Sequence, residues 1–102
     1  MNVIVDESVT RFIKTLEKNS QAKTLRVLEL LEEYRSKLGM PHSKALGEGL
    51  FELRVRGKQE ARLLYGFRRD SVIIAHGFVK KTQRIPIKEL IYARKSLSVY
   101  DI

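Results

Sequence analysis

The chain has no cysteine, which excludes disulfides, thiolate metal sites and thiol nucleophiles at the outset. Histidine is almost as scarce. His42 and His76 have no spacing that would make a metal pair, and a packed, hydrogen-bonded role suits His76 better than a catalytic one. A Gly-rich phosphate loop is also missing, since GEGL at 47–50 reads as a turn rather than a Walker or Rossmann fingerprint. No Ser/His/Asp arrangement can be assembled. These gaps disfavour a hydrolase built on histidine or a metal, and no cofactor or metal ligand set is expected. The longest apolar run, Val72 to Ala75, is far too short to span a bilayer. The first residues lack the basic start and apolar core of a secretory signal. A cytoplasmic location without membrane contact is therefore expected. Linkers, internal repeats and low-complexity segments are absent. The 102 residues, 43% hydrophobic and 31% charged, are expected to form one domain over 1–102 with one modest core.

What the second half lacks is acid. Residues 1–53 carry 8 Lys/Arg and 8 Asp/Glu, whereas residues 54–102 carry 12 Lys/Arg against 4 Asp/Glu. The whole net charge of +8 thus falls in one part of the chain, which points to nucleic acid or an acidic protein partner. A basic surface kept only for solubility fits less well, because the charge is concentrated.

Residues Met1 to Val5 suit a short edge strand. Asp6 or Ser8 can cap a helix, and Val9, Phe12, Ile13 and Leu16 follow at the spacing of one buried helix face. Asn19-Ser20 reads as a break, with Ser20 capping a second helix from about Gln21 to Leu38. Gly39 suits the left-handed residue that ends it, and Pro41 prevents resumption. The two helices are expected to form an antiparallel hairpin. His42 to Gly49 reads as a loop. At the other end Pro86 opens a last helix, docked through Ile87, Leu90, Ile91 and Leu97.

Between them, Leu50 to Lys81 gives three short alternating runs, the period of half-buried strands. Their polar side carries Arg54, Arg56, Arg62, Arg68 and Lys81, with few acids to answer them. The fold class expected is α+β: a small twisted antiparallel sheet of three to four strands, packed against the helix hairpin, with a C-terminal helix. Turn lengths set the faces. Arg69-Asp70 as a two-residue hairpin loop pairs Phe67 with Val72, and so Leu63 with His76. A three-residue turn at Gly57-Lys58-Gln59 pairs Arg54 with Arg62. A one-residue change there would flip the strand and bury Arg54 and Arg56 against the helices. The aromatics and His76 then face the helix hairpin, and Arg54, Arg62 and Lys81 share the other face. Strict alternation puts Phe78 and Lys80 on the side opposite Lys81.

Small residues beside the arginines (Gly66, Ala75, Gly77) suggest a floor for a phosphate backbone. Arginine grips phosphate with a bidentate fork and can stabilise charge in a phosphoryl-transfer transition state. In metal-free ribonuclease chemistry the ribose 2′-hydroxyl attacks the adjacent phosphate, and a lysine with a depressed pKa can take its proton. A solvated basic face, or one paired with an acidic protein, stays open beside this reading.

LFELR (50–54), ARLLYGF (61–67), HGFVKKTQ (76–83) and PIKELIYA (86–93) resemble the HigB-like, phage-derived branch of the RelE/ParE toxin superfamily. LRVLELLEEY and LGMPHSKALGEGL upstream resemble it too, so nearly the whole chain is covered. Ile85 departs from the branch, which has a small polar residue before the proline. The resemblance implies a RelE-like toxin of a type II toxin–antitoxin pair that cuts mRNA on the translating ribosome. Its partners would be the ribosome, mRNA and a co-expressed antitoxin, a helix-turn-helix HigA-like protein. It further implies catalytic roles for Arg62, Arg54, Lys80 and Lys81. RNA contacts are expected from Arg56, Arg68, Phe78, Arg84 and Tyr100. The alternatives are a ParE-like, non-catalytic inhibitor of DNA gyrase on the same fold, and an inactive prophage remnant that still binds its antitoxin.

Overall fold

A computed structural model describes residues 2–101. The elements run β1 (Asn2–Val5), α1 (Glu7–Lys14), α2 (Lys18–Tyr34), β2 (Ser43–Gly47), β3 (Leu50–Val55), β4 (Ala61–Arg68), β5 (Ser71–Val79) and α3 (Ile87–Ser98). The α+β architecture with a C-terminal helix is as expected. The sheet is larger, with five strands in the order β1-β5-β4-β3-β2. It is antiparallel except where β1 lies parallel to β5. The added strand is β2, within the stretch expected to be a loop. Its five residues are mostly exposed and end in a tight turn with positive φ at Gly47, Glu48 and Gly49. So short an edge, with so little apolar content, carries almost no strand periodicity.

Two helix boundaries also differ from expectation. The first break comes at Thr15–Glu17 rather than Asn19-Ser20, and Ser20 lies buried inside α2, its carbonyl accepting from Thr24 Oγ1 at 2.7 Å. Helix α2 then stops at Tyr34, where Arg35 leaves helical geometry with a positive φ (53°), and Gly39 does not end it. A single 3-10 turn, Arg35–Lys37, follows. Asp6 caps α1 as expected, accepting from Ser8 N at 3.0 Å.

The sheet is packed on both faces. Against α1 and α2 it presents Leu53, Val55, Leu63, Tyr65, Val72 and Ile74, which meet Val9, Leu16, Val27 and Leu31. Phe51, Tyr65 and Phe67 join this face, with ring centroids 5.4–5.8 Å apart in stacked and edge-on arrangements. On the other face Leu50, Leu64, Ile73, Ala75 and Phe78 meet Ala93 and Leu97 of α3. The stripe that docks α3 is therefore Leu90, Ala93 and Leu97. Ile87 and Ile91 were expected in it but are 73% and 60% exposed.

One irregularity decides the site. The hairpin of β4 and β5 begins in the expected register, Phe67 opposite Val72. Between the pairs Tyr65↔Ile74 and Leu64↔His76 the register shifts, so Ala75 is an extra residue on β5. This is a β-bulge, which reverses the side-chain alternation beyond it. Leu63 consequently pairs with Gly77 rather than His76, and Phe78 stands opposite Arg62. His76 leaves the helix-hairpin face for the α3 face. There its Nε2 lies 2.9 Å from Glu89 Oε1, between the rings of Phe78 and Tyr92.

Candidate functional site

The expected strand pairing Arg54↔Arg62 is present, and the loop that makes it possible is fixed at both ends. Gly57 N donates to Glu60 Oε2 at 3.2 Å, and Gln59 Oε1 accepts from Glu17 N at 2.8 Å. The carbonyl of Glu60 also receives Lys80 N at 2.8 Å. That last bond draws the end of β5 against the β3–β4 loop and brings Lys80 beside the arginines. The result is an open groove of about 420 Å³ lined by Arg54, Arg56, Glu60, Arg62, Lys80, Lys81, Thr82 and Gln83.

Four sequence-derived candidates, Arg54, Arg62, Lys80 and Lys81, thus converge, and Arg56 joins them. The bulge resolves the placement of Phe78. It lies on the same face as Arg62, directly opposite it, rather than on the reverse side. Being only 6% exposed, Phe78 is part of the core beneath the groove and offers no free ring for stacking. Arg84 lies in the connector just past the groove, where its carbonyl accepts from Thr82 Oγ1. Arg68 and Tyr100 lie apart from the groove, lining another hollow with Asn2 and Asp70. Arg68 pairs with Asp101, and the Tyr100 hydroxyl donates to Asp6 Oδ1 at 2.7 Å. The Asp6 carboxyl is held below its ordinary value, first by the Ser8 hydroxyl and also by Tyr100. Tyr100 in turn is pushed up, chiefly by its bond to Asp6. These two residues tie the chain's end to its beginning.

The few acids near the arginines are set directly against them. Glu52, on the same strand face two residues before Arg54, is 1% exposed. It lies 3.2 Å from Arg54 Nε and 3.5 Å from Arg62 Nε. These approaches lack hydrogen-bond alignment, so the attraction is ionic. Arg62 is itself buried at 3% exposure, with its remaining nitrogens on the Ala61 carbonyl (2.9 Å) and Glu60 Oε1 (3.0 Å). Glu60 also approaches Arg56 at 3.8 Å. Partial burial pushes the Glu60 carboxyl up. The Gly57 amide, the Arg62 hydrogen bond and the charges of Arg62 and Arg56 outweigh it, and the net value is lowered. Glu60 is therefore ionised at neutral pH.

Five cations and two carboxylates meet here, a surplus of three positive charges (five minus two). The arrangement is layered. Arg62 and Glu52 form a buried ionic base, Arg54 is half-sunk above it, and Arg56, Lys80 and Lys81 reach solvent. The small residues do not make a phosphate floor. A Cβ on Gly66 would come within 2.7 Å of Leu97, and one on Gly77 within 2.5 Å of Phe12. Both glycines let a helix approach the sheet. Glu52 and Glu60 were the site residues the sequence reading missed. The signal for Glu52 was its place on the arginine face, one strand period from Arg54.

Among the described residues, no helix is long and apolar enough to cross a membrane, and no cluster of His, Asp and Glu could hold a metal ion. Comparison with curated proteins returned no match. The chain does match the family described as Phage derived protein Gp49-like (DUF891), over residues 11–98. That span holds both helical layers, four of the five strands and every residue of the groove. The chain belongs to the phage-derived Gp49-like family.

Proposed function

We propose that this protein is the toxin of a type II toxin–antitoxin pair and a ribosome-dependent endoribonuclease that cuts mRNA in the cytoplasm. Membership of a phage-derived family agrees with the branch its motifs resemble. The observation that carries the reading is the convergence of Arg54, Arg56, Lys80 and Lys81 on one open groove with surplus positive charge. A groove whose cations outnumber its carboxylates attracts a polyanion, and arginine forks suit its phosphates.

The reaction needs no group beyond the chain and the RNA. The ribose 2′-oxygen attacks the adjacent phosphorus and its proton passes to a base. The pentacovalent phosphorane collapses as the bond to the 5′-oxygen breaks, and that oxygen takes a proton. The products are a 2′,3′-cyclic phosphate and a 5′-hydroxyl. Lys80 and Lys81 serve as clamp and proton relay at the solvent side, and Arg54 and Arg56 hold the phosphate. Arg62 supplies positive charge from beneath and holds the layer above it in place, because its own donors are already engaged. The test is a translating extract programmed with mRNA carrying one 2′-O-methyl nucleotide at a mapped cleavage position. Cleavage there should vanish while neighbouring sites persist. Undiminished cutting at the methylated position would refute 2′-oxygen attack.

The second reading, the ParE-like inhibitor of gyrase, would use a different surface. Helix α3 and the residue that follows it leave Ile87, Ile91, Tyr92 and Val99 exposed, an apolar surface suited to a protein partner. The antitoxin is the simpler occupant. DNA damage without mRNA cleavage after induction would favour gyrase instead.

A further inference from the structure

The cationic surface continues past Arg54 and Arg56. Strand β3 outruns its neighbour: the first register pair with β2 is Ser43↔Leu53, and the last link is Arg54 N to the His42 carbonyl at 2.8 Å. Val55 and Arg56 therefore lie beyond the end of β2, and a second hollow of about 240 Å³ opens there. Arg54 and Arg56 line it as well as the groove, forming the ridge between the two.

Its chemistry differs from that of the groove. Buried Val27 and Val55 provide an apolar floor, and Pro41 and the half-exposed ring of His42 form one wall. Lys23 and Arg26, both exposed, stand on the opposite rim, with the Lys23 ammonium over Gly57 of the β3–β4 loop. A bare phosphate has no use for an apolar floor, and an aliphatic side chain has no use for a cationic rim. A nucleotide satisfies both, with its flat base against Val27, Val55, Pro41 and His42 and its phosphates on the arginine ridge and rim. The volume lies below the roughly 300–1,000 Å³ of pockets for drug-sized ligands, so a single base fits and a duplex does not. Unstacked bases of single-stranded RNA are recognised by stacking on aromatic and guanidinium planes.

We propose that this hollow binds the base of the nucleotide flanking the scissile phosphate, and that it sets the enzyme's base preference. The inference rests on the endoribonuclease reading above. The test titrates the full-length chain with single-stranded 2′-O-methyl tetranucleotides, which cannot be cut, varying one base at a time and following backbone amide shifts. Wild type should prefer one base at one position by about two- to fivefold, since stacking strength differs only modestly between bases, with shifts at His42 and Val55. His42→Ala and the Lys23→Ala/Arg26→Ala pair alter exposed or half-exposed side chains. They should erase the preference while weaker binding persists at Lys80 and Lys81. Lys80→Glu/Lys81→Glu should instead weaken all tetranucleotides alike. Unchanged preference in the His42 and Lys23/Arg26 variants overturns the inference and leaves the nuclease reading standing. A uniform loss of affinity in the Lys23/Arg26 pair, with the preference intact, overturns it too, because the rim would then be only a phosphate track. An acidic peptide that shifts His42 when no RNA does would overturn the inference in favour of a protein partner. Wild type that binds no tetranucleotide overturns the inference alone, because cutting on the ribosome is judged by the translating-extract assay above.

Discussion

Arg62 shows how a residue type can be read correctly and its situation missed. Its place on the Arg54 face follows from turn length and alternation, but its burial does not, because burial depends on what packs above it. With Glu52 beneath, Glu60 beside it and the Ala61 carbonyl on its third side, Arg62→Ala removes structure as well as charge. Loss of activity in that variant alone therefore says little about catalysis. Glu52 isolates the structural part. Glu52→Ala leaves buried Arg62 and half-sunk Arg54 side by side without the carboxylate they share, and breaking a buried ion pair costs about 3–5 kcal/mol. Urea denaturation should show a loss of this size, and a change under 1 kcal/mol would mean the pair is solvated. Glu60 gives the pH dependence. Its carboxyl sits below the ordinary 4.5 in the folded chain, so the unfolded state binds its proton more readily. The stability it contributes is present above pH 4.5 and is lost as pH falls through the lowered value. The stability gap between wild type and Glu60→Gln should therefore close as pH falls below 4.5. A gap that stays constant into acid would assign Glu60 no ionic role.

At the scale of elements, the β5 bulge connects sequence to site. Alternation held from Ser71 to Ala75, and it put Val72 and Ile74 on the correct face. One extra residue then exchanged the faces of everything after it. No local signal marks Ala75 as that residue, since alanine fits either face of a strand. The bulge is settled by tertiary packing. Gly77 is drawn under Phe12 of α1, while Phe78 turns towards α3. Gly77→Ala tests this packing, because the new methyl would sit 2.5 Å from Phe12 and 2.9 Å from Leu63. Overpacking of this kind costs roughly 1–3 kcal/mol. A Tm within error of wild type would show that the ring moves aside freely. The helix ends illustrate the same limit. Ser20 looks like a cap, yet it is small enough to be buried in the first turn of α2, one turn before Thr24, and packing overrides its preference for the cap position.

For the whole molecule, strand order and charge asymmetry act together. The excess of lysine and arginine after residue 54 was legible from composition, and so was an anionic partner. The groove needed two further contacts that join parts distant in sequence: Lys80 N to the Glu60 carbonyl, and Gln59 to Glu17. These bring the end of β5, the β3–β4 loop and the start of α2 to one corner of the sheet. Arg68 and Tyr100, equally basic or aromatic in sequence, are held elsewhere by Asp101 and Asp6. Position in the fold, rather than residue type, selects which cations belong to the site.

In the proposed function the groove cuts mRNA through its solvent-facing cations, and those can be changed without touching the buried ionic base. The most direct measurement is transcriptome-wide mapping of mRNA 5′ ends after induction of wild type and of Lys80→Ala/Lys81→Ala. The variant's thermal unfolding should match that of wild type. Wild type should produce new 5′-hydroxyl ends inside translated codons, and the equally stable double variant should lose at least nine-tenths of them, roughly the effect of removing one or two transition-state contacts. A wild type that arrests growth without new ends inside codons, or a stable double variant that cuts as well as wild type, would rule out mRNA cleavage by these cations.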